Sequence, residues 1–177
     1  METFTAVKTF VHNPHYYEQR QKALSSLNID TIDDPIVELI SSFAKLTYCF
    51  TLQSCYGHFV YDIQTDSKNT EPLPIPGTVA CVEYRIAYIA LCIQNSTLGR
   101  ELFKDLSALP SIDPEYIQFG CAEWFWQRQV NSFAVQVEPE RHKTKDRIDV
   151  DYQEALHIEG VRNEFFGELG RLLEKRM

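Results

Sequence analysis

Residues 79–93, VACVEYRIAYIALCI, are the most apolar part of the chain and constrain its fold more than any other segment. Their β-branched and aromatic side chains favour a strand, and from Ile86 onward both faces are apolar. A strand of that kind must be covered on both sides, as the centre of a sheet with layers packed against it. A short apolar run also admits a helix, and that second reading stays open.

Other segments supply the covering layers. Asn13-Pro14 and Asp34-Pro35 each pair a capping side chain with a proline suited to the first helical turn, which predicts helices over 14–27 and 35–46. Ile36, Leu39, Ile40, Phe43 and Leu46 give the second of these a clean apolar stripe. Ser96 or Thr97 caps a third helix carrying Leu98, Leu102, Phe103 and Leu106. Asp151 opens a C-terminal helical region with Ile158, Val161, Phe165, Leu169 and Leu172 on one face. Gly160, Gly167 and Gly170 argue against a single continuous helix there.

Between the helices the periodicity changes. Tyr48, Phe50 and Leu52 alternate with Cys49, Thr51 and Gln53, a strand pattern. Ser54-Cys55-Tyr56-Gly57-His58 interrupts it, and an extended composition resumes over 59–64, so the local shape reads as strand, tight turn, strand. Residues 65–77 contain Pro72, Pro74 and Pro76 and read as a loop. Tyr116 to Phe119 looks extended, and 122–129 and 133–138 read as two strands joined around Asn131-Ser132. The order α-α-β-β-β-α-β-β-β-α implies an α+β fold, a mixed or mostly antiparallel sheet with helices packed on it, in a single domain over 1–177.

Composition narrows the function. With 17 Lys and Arg against 25 Asp and Glu, the net charge of −8 weakens any reading in which the chain alone holds a phosphate backbone. No apolar run approaches the ~20 residues of a membrane helix, and METFTAVKTF lacks a signal-peptide core. The five cysteines are odd in number and include no CxxC pair. A reducing, cytoplasmic location is the simplest expectation. No Walker loop, GxGxxG, HExxH or GxSxG is present.

Three clusters could carry chemistry. The first is the turn 54–58. Gly57 permits a tight bend whose N–H groups can hold an anion, and a hydroxyl (Ser54), a thiol (Cys55) and an imidazole (His58) surround it. Cys55 and His58 could form a nucleophilic pair if they lie within hydrogen-bond reach. As metal donors they are too few, since zinc needs three or four ligands. A metal site would need a distant third residue such as His142, and no metal is assigned. A hairpin turn with a buried Cys and a surface His is the plain alternative.

The second cluster is Arg141 to Arg147. If this segment is extended, Arg141, Lys143, Lys145 and Arg147 point to one face and, with His142, could bind an anionic part of a substrate. A solvated loop is the competing reading. The third is Glu123-Trp124-Phe125-Trp126. As a strand it places two indoles on one sheet face, where they either stack on a nucleobase or pack into the core.

The order of elements and the Ser-Cys-x-Gly turn give the chain a resemblance to the wybutosine-synthesis methyltransferase family (tRNA wybutosine-synthesizing protein 3). Tyr17 to Leu27, Asp34 to Leu46 and Thr51 to His58 stand where that family has two helices and a strand running into T-x-S-C-S-G-R. The resemblance extends in pattern over 10–137. It implies methyl transfer from S-adenosylmethionine to a tRNA nucleobase, with Ser54, Cys55 and Gly57 lining the pocket. Tyr56 and His58 stand where the family has Ser and Arg, and Ala90 where its apolar strand has His. Two expectations follow. Either the chain is a small transferase with Cys55 and His58 as catalytic groups and Ser54, Gly57, Arg141 and His142 binding substrate, or it is a non-catalytic module for a small molecule or assembly that kept the fold and lost the chemistry.

Overall fold

The computed structural model describes residues 4–75 and 79–177. The last two positions of the loop read over 65–77 therefore lie outside the described residues. The elements are β1 (Phe4–Thr5), α1 (Tyr16–Ser26), α2 (Val37–Lys45), β2 (Cys49–Cys55), β3 (His58–Val60), β4 (Cys81–Arg85), β5 (Ala87–Ile93), α3 (Thr97–Ala108), β6 (Ile117–Ala122), α4 (Glu123–Arg128), β7 (Ser132–Val137), β8 (Arg147–Asp151) and α5 (Tyr152–Glu174). Short 3₁₀ turns precede α2 and β8 and follow α1 and α3. The class is α+β, with antiparallel sheets and helices packed against them.

Two sheets form, a five-stranded one in the order β1-β6-β7-β5-β2 and a three-stranded one in the order β3-β4-β8. Their registers show that β2 and β3 are not a hairpin. Cys55 pairs with Tyr88 of β5, whereas His58 pairs with Arg85 of β4. Segments 49–60 and 81–93 thus run side by side as one long antiparallel ribbon that bends at 56–57 on one strand and at Ile86 on the other. The strand expected over 79–93 is accordingly two strands in two sheets.

The bend has a steric cause. Gly57 adopts φ +87°, and a Cβ there would lie 2.8 Å from the Ala87 Cβ, so only glycine lets the two corners touch. Tyr84 fastens the inner side, accepting from the Ala87 amide at 2.9 Å and donating to the Val137 carbonyl at 2.8 Å.

β5 lies inside the larger sheet, as its two apolar faces require. Ala87, Ile89, Leu91 and Ile93 point into the main core with Ile40 and Phe43 of α2, Leu102 and Leu106 of α3, and Ile158, Val161, Phe165 and Leu169 of α5. Ala90 and Cys92 point the other way, under Phe125 of α4 and Tyr16 of α1. α5 runs unbroken for 23 residues, closed at its start by Asp151, which accepts from the Glu154 amide at 2.8 Å. A Cβ at Gly160 or Gly170 would meet only open space, so these glycines cost the helix about 1 kcal/mol each. Each buried apolar side chain on the opposite face contributes roughly 1.5–3 kcal/mol, and the packed face outweighs the glycines.

Residues 123–128 are helical rather than extended. Phe125 is the anchor, because a turn of helix drops it onto Ala90, Ala122 and Ala134. Trp124 and Trp126 therefore share no sheet face. Trp124 is 44% exposed under the Arg128 guanidinium, and Trp126 lies edge-on to Phe133. The segment 141–147 is not extended either: a 3₁₀ turn over Glu140–His142 and a bend precede β8. Arg141 pairs with Glu154 of α5, Lys143 with Glu140, and Arg147 sits in β8 opposite Arg85. The four cations do not form a strip. No described helix is long and apolar enough to cross a membrane.

Candidate functional site

The bend at 56–57 and a residue far upstream create the site. Asp33 precedes the 3₁₀ turn that leads into α2, yet its side chain does not cap that turn. It points at the corner instead, where its Oδ2 accepts the Tyr56 amide at 2.8 Å and lies 3.3 Å from His58 Nε2. On the other side of the ring, His58 Nδ1 lies 3.0 Å from the Asn69 carbonyl oxygen. Both neighbours of the imidazole are acceptors, so the ring carries two protons and a positive charge. The hydrogen bond to Asp33, helped by the Cys55 sulfur and the Asn69 carbonyl and opposed by burial, pushes the His58 pKa up to about 10. Burial alone would raise the Asp33 pKa, but the bonds from His58 and the Tyr56 amide outweigh it and hold the carboxyl below its usual value.

Cys55 completes the cluster. Its Sγ accepts from the Gly57 amide at 3.4 Å, and the donor atoms of Asp33, Cys55 and His58 all lie within 4.8 Å of one another. Backbone groups of the corner thus orient the thiol and the carboxylate, and the Asn69 carbonyl orients the ring. In this state His58 has no free lone pair with which to deprotonate Cys55, because both nitrogens donate.

Arg162 braces the corner from α5. It is 2% exposed, donates to the Gly57 carbonyl at 3.0 Å, and lies 4.0 Å from the Tyr56 ring and 5.1 Å from the Phe59 ring. Stacking suits a guanidinium, whose planar face is weakly hydrated.

Beside the corner, on the sheet face away from the main core, opens a cavity of about 390 Å³. Cys55 and His58 line it, as do Phe4, Ile86, Tyr88 and Phe125, which make its surface mostly apolar. Lys68, Arg85, Lys143, Lys145 and one carboxylate, Asp146, also line it. Arg85 pairs with Glu83 and Lys143 with Glu140, whereas Lys68 and Lys145 have no ion-pair partner among the described residues. The basic loop is tied to the corner by the Ile86 amide, which donates to the Asp146 carbonyl at 3.2 Å. Beneath that loop Glu138 is fully buried, with Oε1 unpartnered among the described residues and Oε2 3.4 Å from Gln136 Nε2. Burial, with repulsion from Asp146 and partial relief from Lys145, raises the Glu138 pKa to about 9.

The expected site residues divide accordingly. Cys55 and His58 face the cavity and Gly57 shapes the corner behind them. Ser54 turns to a separate cleft with Leu27, Asn28 and Ile32, and Arg141 is held by Glu154. His142 is not among the residues lining the cavity, and the third donor beside Cys55 and His58 is Asp33. Lys143 and Lys145 reach the cavity from the basic loop although that loop is not a strand.

No family model matches the chain, and no curated protein does. Among solved structures it is similar to that of the PH1069 protein from Pyrococcus horikoshii, at 15% identity and a TM-score of 0.49, over 93% of this chain and 97% of that one.

Proposed function

We propose that this chain is a small-molecule-binding module whose cavity takes a ligand joining an anionic group to a flat apolar one, a mononucleotide being a simple example. The observation that carries this reading is the pairing of a mostly apolar, aromatic-lined hollow with two lysines, Lys68 and Lys145, that form no ion pair among the described residues. A flat ring gains from burial beside Tyr88 and Phe125. A phosphate or carboxylate gains charge-assisted hydrogen bonds from the lysines. In the metal-free chain His58, held between two acceptors, adds positive charge rather than a base, which favours binding over acid–base catalysis.

The family resemblance supports a second reading, a transferase using S-adenosylmethionine. Its sulfonium cation gains little from a rim where Lys68, Arg85, Lys143 and Lys145 outnumber Asp146, the one carboxylate among the described lining residues. The acidic net charge argues against a nucleic-acid strand as the ligand, and five free thiols suit a reducing cytoplasm.

Calorimetric titration of chelator-treated protein with AMP, adenosine and S-adenosylmethionine separates these readings. AMP binds at one site, adenosine more weakly, and the double substitution Lys68→Ala, Lys145→Ala lowers AMP affinity by roughly tenfold or more. Absence of heat with millimolar AMP, or an affinity indifferent to the two lysines, overturns the module reading. Tight S-adenosylmethionine binding replaces it with the transferase.

A further inference from the structure

We propose that Asp33, Cys55 and His58 form a three-donor site for a divalent transition metal, zinc by the chemistry of the donors, with its fourth position open to the cavity. The proposal does not depend on the nucleotide reading: it concerns the corner itself. One oxygen, one sulfur and one nitrogen donor lie within 4.8 Å of one another. In a tetrahedral site with bonds near 2.0–2.3 Å, neighbouring donors stand roughly 3.4 Å apart, and His58 Nε2 and Asp33 Oδ2 are separated by 3.3 Å.

The surroundings are those of a ligand set. A metal-bound histidine donates its other ring N–H to a carbonyl or carboxylate, which fixes the tautomer and aims the ring. Here Nδ1 faces the Asn69 carbonyl at 3.0 Å, leaving Nε2 for the ion. The Tyr56 amide steadies the Asp33 carboxylate and the Gly57 amide steadies the Cys55 sulfur. The corner that carries these amides is itself fixed by the Gly57–Ala87 contact and by Arg162 on the Gly57 carbonyl. Cys55 and His58 both line the cavity, so the open position faces it. Loading exchanges two protons, from His58 Nε2 and Cys55 Sγ, for one divalent ion; the protons pass to solvent and the donors keep their electron pairs. Two anionic donors then balance the ion. A thiolate and an imidazole select zinc or cobalt over magnesium or calcium.

The test uses the full chain with Cys81→Ser, which removes the exposed thiol. Chelator-stripped protein is titrated with Co²⁺ and followed by absorbance, then with Zn²⁺ against a chromophoric chelator. One equivalent of Co²⁺ is expected, with a thiolate-to-cobalt charge-transfer band. Cys55→Ser abolishes the band. Asp33→Asn keeps it and weakens Zn²⁺ binding by more than the roughly 100-fold that loss of an outer-shell partner can cost. Should Cys55→Ser fail to fold by circular dichroism, Asp33→Asn with the Zn²⁺ competition still decides. Failure of the protein to take up an equivalent of either ion, a band that survives Cys55→Ser, or Zn²⁺ affinity unchanged in Asp33→Asn overturns the site. The probe is the metal alone, so a negative result leaves the AMP titration untouched.

Discussion

Replacing Glu138 by Gln should stabilise the protein, and increasingly so as the pH rises. The wild-type carboxyl is fully buried at the end of β7, with one oxygen unpartnered among the described residues, near Asp146, Lys145 and Tyr84. Its pKa rises from 4.5 in the unfolded chain to about 9 in the fold. The folded state therefore binds more protons than the unfolded state between those values, and stability falls as pH rises through that window. The stabilising contribution is complete below pH ~4.5 and is lost as pH climbs to about 9. At 1.36 kcal/mol per pH unit the loss reaches about 3 kcal/mol at pH 7 and about 4 kcal/mol between pH 5 and 8. Glutamine keeps the shape and carries no titrating proton. Thermal unfolding of both proteins across pH 5–8 is the assay. In a chain of this length 1 kcal/mol moves Tm by about 2–4 °C, so the gap between the two curves should widen by roughly 8–16 °C over the range. Other titrating groups, His58 included, affect both proteins alike and cancel in the difference. Curves that stay parallel would refute the argument, because Glu138 would then have to be solvated or paired.

Gly57→Ala should destabilise by about 1–3 kcal/mol from the positive φ alone, and by more because the new methyl meets Ala87; a urea unfolding midpoint measures it. Arg162→Met should cost roughly 3 kcal/mol, since it orphans the Gly57 carbonyl and leaves the half-buried Glu159 without its nearby guanidinium; unfolding in urea with an unchanged m-value would show it. Asn131→Ala should cost about 2 kcal/mol by removing the two 2.9 Å bonds that hold Val11 against the start of β7, with faster amide exchange at Val11 as its local signature.

How far the sequence can be read depends on how local each cause is. Ser96 accepts from the Gly99 amide at 3.2 Å and Asp151 from Glu154, so two helix starts are set within four residues and are visible in the sequence. The apolar stripe of α2 and the two-faced burial of β5 are equally local patterns. α4 is not: GluTrpPheTrp alternates like a strand, and only the pocket of Ala90, Ala122 and Ala134 beneath Phe125 makes a helical turn the better packing. The ribbon's bend needs the Gly57–Ala87 contact across 30 positions, which no window reveals. The site divides the same way. Gly57 marks the corner and Cys55 and His58 flank it in sequence, whereas Asp33 reaches them from 22 and 25 residues upstream. Arg162 did leave a trace, since it falls four residues after Ile158 in the phase of the apolar stripe, where a lone cation signals a buried partner.

Amide chemical-shift mapping with AMP addresses the binding cavity most directly, since it reports where the nucleotide sits as well as whether it binds. Saturable shifts concentrated at Ser67-Lys68, Tyr88 and Lys143 to Asp146, and reduced in the Lys68→Ala, Lys145→Ala protein, are the predicted result. Shifts scattered over other surfaces, or a spectrum unmoved at millimolar AMP, would contradict it.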